Sequence, residues 1–207
     1  MEKAMTITYG VGNKLYLNIT NVCPCRCVFC IRNNGDSAYD SDPLWLDHAP
    51  SFEEIKAAID EKDFSRYKEV VFCGFGEPTC RIDALMETAD YLRTKEDCPP
   101  IRLNTNGLTK LFYKGKVDAP KCLAGKIDTV SVSLNAGDAD EYARVTVPAF
   151  GAEESFAAVT EFILEAKKYI PTVKATLVDA MSDEEIEKAK KYAEKLGVPL
   201  RIREWEH

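Results

Sequence analysis

The chain has 207 residues, of which 45% are hydrophobic and 29% charged, and carries a net charge of −7. That length suffices for one domain with a substantial core, and the composition excludes intrinsic disorder. The acidic balance disfavours generic electrostatic binding to nucleic acid or anionic membrane.

Residues 1–10 contain no apolar stretch of signal-peptide length, and no run approaches the roughly 18 apolar residues of a membrane span. A cytoplasmic protein is expected. Eight cysteines in a reducing compartment point to metal binding or reactivity before disulfides.

In chain order, short strands alternate with longer helices. Strands are predicted at 15–20, 69–73, 101–105, 129–134, 172–178 and 199–203. Ser51-Phe-Glu-Glu54 and Ser182-Asp-Glu-Glu185 read as capping boxes that open helices, and Gly197 is a natural stop for the second. Further helical segments are predicted at 83–94, 120–124, 138–144 and 153–169. The alternation implies βαβ units, right-handed crossovers and a parallel sheet curled into a partial (β/α)6 TIM-like barrel of the α/β class. No composition shift marks a boundary, so 1–207 is expected to be a single domain.

The strands alternate apolar and polar residues. Val130, Val132 and Leu134 oppose Ser131, Ser133 and Asn135; Leu15, Leu17 and Ile19 oppose Tyr16, Asn18 and Thr20. Ile101 and Leu103 likewise oppose Arg102, Asn104 and Asn106. In the later strands Lys174, Thr176, Arg201 and Arg203 share the polar face, which would suit an acidic or phosphorylated substrate; charge matching to nearby carboxylates is the alternative. Burying so many polar groups unpartnered costs a few kcal/mol apiece, so an open lumen holding water and ligands is expected. An open sheet with one solvated face is the other arrangement this pattern allows.

Directly after the first predicted strand comes Cys23-Pro-Cys25-Arg-Cys27-Val-Phe-Cys30. Soft thiolates at Cys-x3-Cys-x2-Cys spacing suit the corners of an iron–sulfur cubane, and three ligands leave one iron with an exchangeable position. Zinc is the rival reading. It wants four ligands, usually from two separated pairs, and the chain offers no second Cys-x2-Cys and only His48 and His207.

The triplet with Phe29 before its last cysteine resembles the signature of the radical S-adenosylmethionine (radical SAM) superfamily. So do Gly74-Phe-Gly76-Glu77-Pro78-Thr79 after the second predicted strand and Asn104-Thr-Asn-Gly107 after the third. Phe75 stands where the family motif has its first glycine of the Gly-Gly-Glu-Pro run.

The resemblance implies an enzyme in which Cys23, Cys27 and Cys30 hold a [4Fe–4S] cluster whose open iron binds S-adenosyl-L-methionine. Reductive cleavage then yields a 5′-deoxyadenosyl radical that abstracts hydrogen from a substrate. It further implies cofactor contacts from Phe29, Gly76, Glu77, Pro78, Asn104, Ser133 and Arg144, with the Gly-Glu-Pro turn receiving the methionyl amine. An external electron donor such as flavodoxin or ferredoxin is implied as well, with a small-molecule or protein substrate.

Length and the run Leu15-Tyr-Leu-Asn-Ile-Thr-Asn21 look most like the small TatD-associated radical SAM proteins. A glycyl-radical-enzyme activase and a non-catalytic iron–sulfur or zinc protein are the alternatives. No catalytic acid, base or substrate is indicated. Cys25 and Cys80 are placed near the cluster and the lumen mouth, and residues 31–50 are expected to form a loop over cluster or substrate.

Overall fold

The computed structural model describes residues 3–205; His207 lies outside the described residues. The elements run β1 (Thr8–Val11), β2 (Lys14–Leu17), α1 (Phe52–Asp60), β3 (Glu69–Phe72), α2 (Ile82–Arg93), β4 (Ile101–Thr105), α3 (Thr109–Phe112) and α4 (Ala119–Cys122). They continue with β5 (Thr129–Ser133), α5 (Ala139–Thr146), α6 (Ala152–Tyr169), β6 (Thr172–Val178), α7 (Asp183–Leu196) and β7 (Leu200–Arg203).

The described strands form one sheet in the order β1 to β7, with β1 antiparallel to β2 and every later pair parallel. Parallel neighbours in strict chain order, each joined through a helix, give the partial-barrel arrangement expected from the alternation. β1 was not anticipated. It pairs through a two-residue Gly12-Asn13 turn, a hairpin signal present in the sequence but unread, with Gly12 at φ 57°.

Both capping boxes form. Ser51 accepts from the Glu54 N–H while the Glu54 carboxylate accepts from the Ser51 N–H, and Ser182 and Glu185 repeat the exchange. The apolar strand faces pack under the helices: Val130 and Val132 of β5, with Leu103 of β4, are fully buried against Val159 and Ile163 of α6 among others. Each such side chain contributes about 1.5–3 kcal/mol by leaving water.

The opposite face opens into a lumen of about 310 Å³, lined by Tyr16, Arg102, Asn104, Ser131, Ser133, Asn135, Thr176, Arg201 and Arg203. Lys174 departs from the expectation. It shares their strand parity but sits at the start of β6, exposed, and is not among the lining residues. Asn18 departs too: it is fully buried and ties down residues 31–50, its amide donating to the Leu44 carbonyl at 2.8 Å. Asn21 repeats this at the Leu46 carbonyl and N–H.

Candidate active site

The lumen brings the C-terminal ends of β2 to β5 together with the cysteine loop. Cys23, Cys27 and Cys30 are half-buried and line the cavity together with Phe29, Gly76, Glu77, Pro78, Asn104 and Ser133. The loop is held from outside by α5. Its terminal carbonyls, orphaned as at any helix end, accept from the loop: Arg26 N–H bonds the Thr146 and Val147 carbonyls, both at 3.1 Å, and Val28 N–H the Val145 carbonyl at 3.0 Å. Ala149 N–H closes the pairing at the Pro24 carbonyl, 2.8 Å away.

The glycines after β3 explain how the loop comes so close. A Cβ on Gly76 would lie 2.3 Å from the Thr20 carbonyl oxygen and 2.8 Å from that of Val22. The Glu77 N–H, one residue on, donates to the Val22 carbonyl at 2.8 Å. Gly76 is therefore needed for the approach of the protein's own backbone, before any ligand is considered. Phe75, the departure from the family run, is buried and packs edge-on against Trp45, with ring centroids 5.0 Å apart. That contact anchors residues 31–50 as a packed wall of the cavity.

Glu77 is committed internally. Its Oε1 accepts from the Thr79 N–H (3.1 Å), the Thr79 hydroxyl (2.7 Å) and the Thr105 hydroxyl (2.7 Å), and Oε2 accepts from the Asn106 N–H at 2.7 Å. Only Oε2 keeps a lone pair free for a ligand ammonium. Burial raises this carboxyl above its ordinary value while those hydrogen bonds pull the other way.

Donors also face the thiols. Asn106 Nδ2 lies 3.9 Å from Cys23 Sγ and 3.7 Å from Cys25 Sγ, and Arg32 Nε lies 3.3 Å from Cys30 Sγ. Asn106 belongs to the Asn-Thr-Asn-Gly run and the polar strand face, without a contact expected of it; Arg32, two positions past the last cysteine, is a readable cation. Cys25 is buried at 2% exposure, and the adjacent Cys23 and Cys27 sulfurs, with burial, push its thiol well above the ordinary value. The Cys23 thiol is correspondingly lowered, chiefly by the Cys25 hydrogen bond.

Among the described residues, two fully buried polar atoms of the lining residues have no internal partner: Asn135 Oδ1 and the Tyr142 hydroxyl. The neighbouring Thr146 hydroxyl is committed to the Tyr142 carbonyl at 2.7 Å. Orphaned buried polar atoms cost about 1–3 kcal/mol each, and Thr88 and Ser155, outside the cavity, carry such atoms too. Tyr142 gave no signal in sequence, since a tyrosine on the buried face of a helix reads as core.

Two expectations are corrected. Arg144 does not enter the cavity: half-exposed on α5, it pairs with Glu185 of α7, whose carboxylate also caps that helix. Cys80 is absent from the lumen mouth. It lies buried in the turn after β3, its carbonyl accepting from the Tyr113 hydroxyl at 2.8 Å. Asn104 lines the lumen, but its Oδ1 is taken by Arg102 Nη1 at 2.5 Å, leaving its amide nitrogen for other partners. His48 is exposed and bonds Glu54 at 2.9 Å.

Among the described residues, no three cysteine, histidine or carboxylate side chains converge tightly enough for a single metal ion. A cubane asks something different, since each thiolate takes its own iron and the ligands stand apart. Three separate thiols around one cavity, two of them facing N–H donors, fit such a cluster.

The model of the radical SAM superfamily matches residues 17–193. The chain belongs to the radical SAM superfamily. Members of that family use a [4Fe–4S] cluster and S-adenosylmethionine.

A GTP 3′,8-cyclase of Lactiplantibacillus plantarum is 28% identical over 146 residues, covering 70% of this chain and 40% of the cyclase. A 5-amino-6-(D-ribitylamino)uracil–L-tyrosine 4-hydroxyphenyl transferase of a Nostoc species is 27% identical over 136 residues, covering 64% of this chain and 32% of the transferase. This radical SAM chain thus matches well under half the length of these relatives. The structure of Streptococcus suis SuiB bound to S-adenosylmethionine superposes on 93% of this chain and 38% of SuiB, with TM-score 0.56 and 15% identity, a likeness of fold. No helix among the described residues is long and apolar enough to cross a membrane.

Proposed function

We propose that this chain is an enzyme that cleaves S-adenosylmethionine reductively and acts on a substrate entering the lumen. When bound, the reduced cluster and cofactor supply a 5′-deoxyadenosyl radical able to abstract a substrate hydrogen. The observation that carries the reading is that Cys23, Cys27 and Cys30 line one cavity with Gly74–Pro78 of the turn after β3 and with Thr105 and Asn106 of the turn after β4.

Cys23, Cys27 and Cys30 are the ligands in this reading. Phe29 offers an apolar face, Gly76 and Pro78 shape the turn against the cofactor's methionyl end, and Glu77 holds that turn to β4 with one lone pair to spare. Asn104 and Ser133 supply polar contacts from the lumen wall. Residues 31–50 exclude water on one side through the Trp45–Phe75 packing. Within the superfamily, the Leu15–Asn21 run supports kinship with the TatD-associated proteins, and a flavodoxin or ferredoxin is the kind of electron donor required.

The test is anaerobic reconstitution, reduction with S-adenosylmethionine, and measurement of 5′-deoxyadenosine. Product above that of a Cys30→Ala control is expected. Its absence from wild-type protein with an intact, reducible cluster rejects the proposal, as does stoichiometric zinc without sulfide in anaerobically isolated protein.

A further inference from the structure

The wall of the lumen farthest from the cysteine loop in strand order is β7, and it carries two arginines two residues apart. Arg201 pairs in register with Thr176 and Arg203 with Val178, and all four line the cavity. Residues i and i+2 of a strand face the same side, roughly 6.6 Å apart along it.

The cavity's other cations are satisfied. Arg102 Nε lies 3.0 Å from Glu69 Oε1, and Lys14 Nζ lies 3.8 Å from Oε2 of the same carboxylate. Arg201 and Arg203, both exposed on the last strand of the sheet, have no carboxylate, carbonyl or hydroxyl bonded to their guanidinium groups among the described residues. The Ser131 and Ser133 hydroxyls, on the same polar face, are likewise unbonded.

Arg203 lines the same cavity as Cys73. Burial holds the Cys73 thiol up, while an Asn104 hydrogen bond and the Arg203 and Arg102 charges pull it down. Cys73 follows β3, four strands from β7 in the sheet order, and lines the same cavity as Arg201 and Arg203. In a chain of net charge −7, with Lys14 and Arg102 paired to Glu69, the lining of this cavity leaves Arg201 and Arg203 against one carboxylate, Glu77. Self-repulsion of two unpaired guanidiniums is tolerable where an anion neutralises them.

We propose that Arg201 and Arg203 form an oxyanion-binding subsite, and that the substrate of this enzyme carries a phosphate or carboxylate group held there. The planar guanidinium fork matches two oxygens of such a group, and two forks on one strand face give it a fixed orientation. Ser131 and Ser133 offer hydroxyls to the part of the substrate lying between that anchor and the cysteine loop. The subsite names the substrate class for the activity proposed above and rests on that reading for its catalytic meaning.

The test is calorimetric titration of reconstituted protein with inorganic phosphate and, separately, with succinate. Saturable binding of at least one anion is expected, tighter for phosphate if the substrate is phosphorylated and for succinate if it is a carboxylate. Arg201→Gln and Arg203→Gln are each expected to weaken it by about tenfold or more, and Arg203→Lys by less because it keeps the charge and loses the fork. Lys174→Gln, exposed on the neighbouring strand outside the cavity, should leave it unchanged.

No saturable binding of either anion, binding indifferent to both Arg→Gln changes, or equal weakening by Lys174→Gln each overturns the subsite. Anion binding needs neither reductant nor cofactor. Failure here is therefore separable from failure of the proposed chemistry, which 5′-deoxyadenosine formation by the unsubstituted protein reads independently.

Discussion

Glu77 Oε2 accepts the Asn106 backbone N–H at 2.7 Å, and through Asn106 Nδ2 the same residue faces the sulfurs of Cys23 and Cys25. One buried carboxylate thus ties the turn after β3 to the turn after β4 and holds the second against the cysteine loop.

Glu77→Gln tests that tie. Two backbone N–H groups, Asn106 and Thr79, point at different oxygens of the carboxylate, and an amide has only one oxygen to offer. One N–H loses its partner, at a cost of about 1–3 kcal/mol at neutral pH, read as a lowered denaturation midpoint. The pH dependence has a definite sign. Burial raises the folded-state value above the ordinary 4.5, so the wild-type contribution is fully present below 4.5 and is lost as pH rises through the raised folded value. The gap between wild type and Glu77→Gln should narrow with rising pH across that window; a gap that widens contradicts the assignment.

Gly76→Ala is expected to be more damaging than its size suggests. The added Cβ meets backbone oxygens of Thr20 and Val22 at 2.3 and 2.8 Å, and backbone gives way less readily than the end of a side chain. A loss of about 1–3 kcal/mol is expected, together with poorer iron incorporation, because the displaced residues lead directly into Cys23. Wild-type stability and iron content in Gly76→Ala would refute the close approach.

What the sequence made legible was periodic or punctuated. Strict alternation in β5 separated Val130 and Val132 from Ser131 and Ser133, and both capping boxes announced their helices. The cysteine loop, the glycine turn and the Asn-Thr-Asn-Gly turn were placed after the right strands. What was not legible depended on which of several partners a long or buried side chain takes. Arg144 lies beyond the right strand, yet Glu185 is within its reach and claims it. Asn18 has lumen parity, yet β2 ends at Leu17, and beyond that point the alternation no longer dictates direction. Tyr142 and Arg32 reach the site through α5 and a 3-10 turn, where no strand period applies.

The fourth cysteine of the loop separates ligand from scaffold. Cys25 is buried at 2% exposure and its backbone pairs with Pro148, whereas Cys30 is half-buried and accepts from Arg32. Cys25→Ala should therefore retain iron and sulfide after reconstitution while losing about 1 kcal/mol of stability from a small cavity. Cys30→Ala should lose the cluster. Retention by Cys30→Ala with loss in Cys25→Ala would reassign the ligand set.

Arg32 should tune the cluster that those ligands hold. Its Nε donates to Cys30 Sγ at 3.3 Å, and its guanidinium lies 5.6 Å from the centre of the Trp45 ring, which restrains it. A cation and N–H donor at a ligand sulfur stabilise the more negative, reduced cluster, so removing both makes reduction harder. Arg32→Gln is expected to lower the midpoint potential by tens of millivolts in a redox titration followed by electron paramagnetic resonance, with iron content unchanged. Arg32→Lys, which keeps the charge without the fork, should fall between the two. An unchanged potential in Arg32→Gln would mean that the contact to Cys30 is packing alone, since a purely structural arginine has no reason to move the potential while leaving the cluster intact.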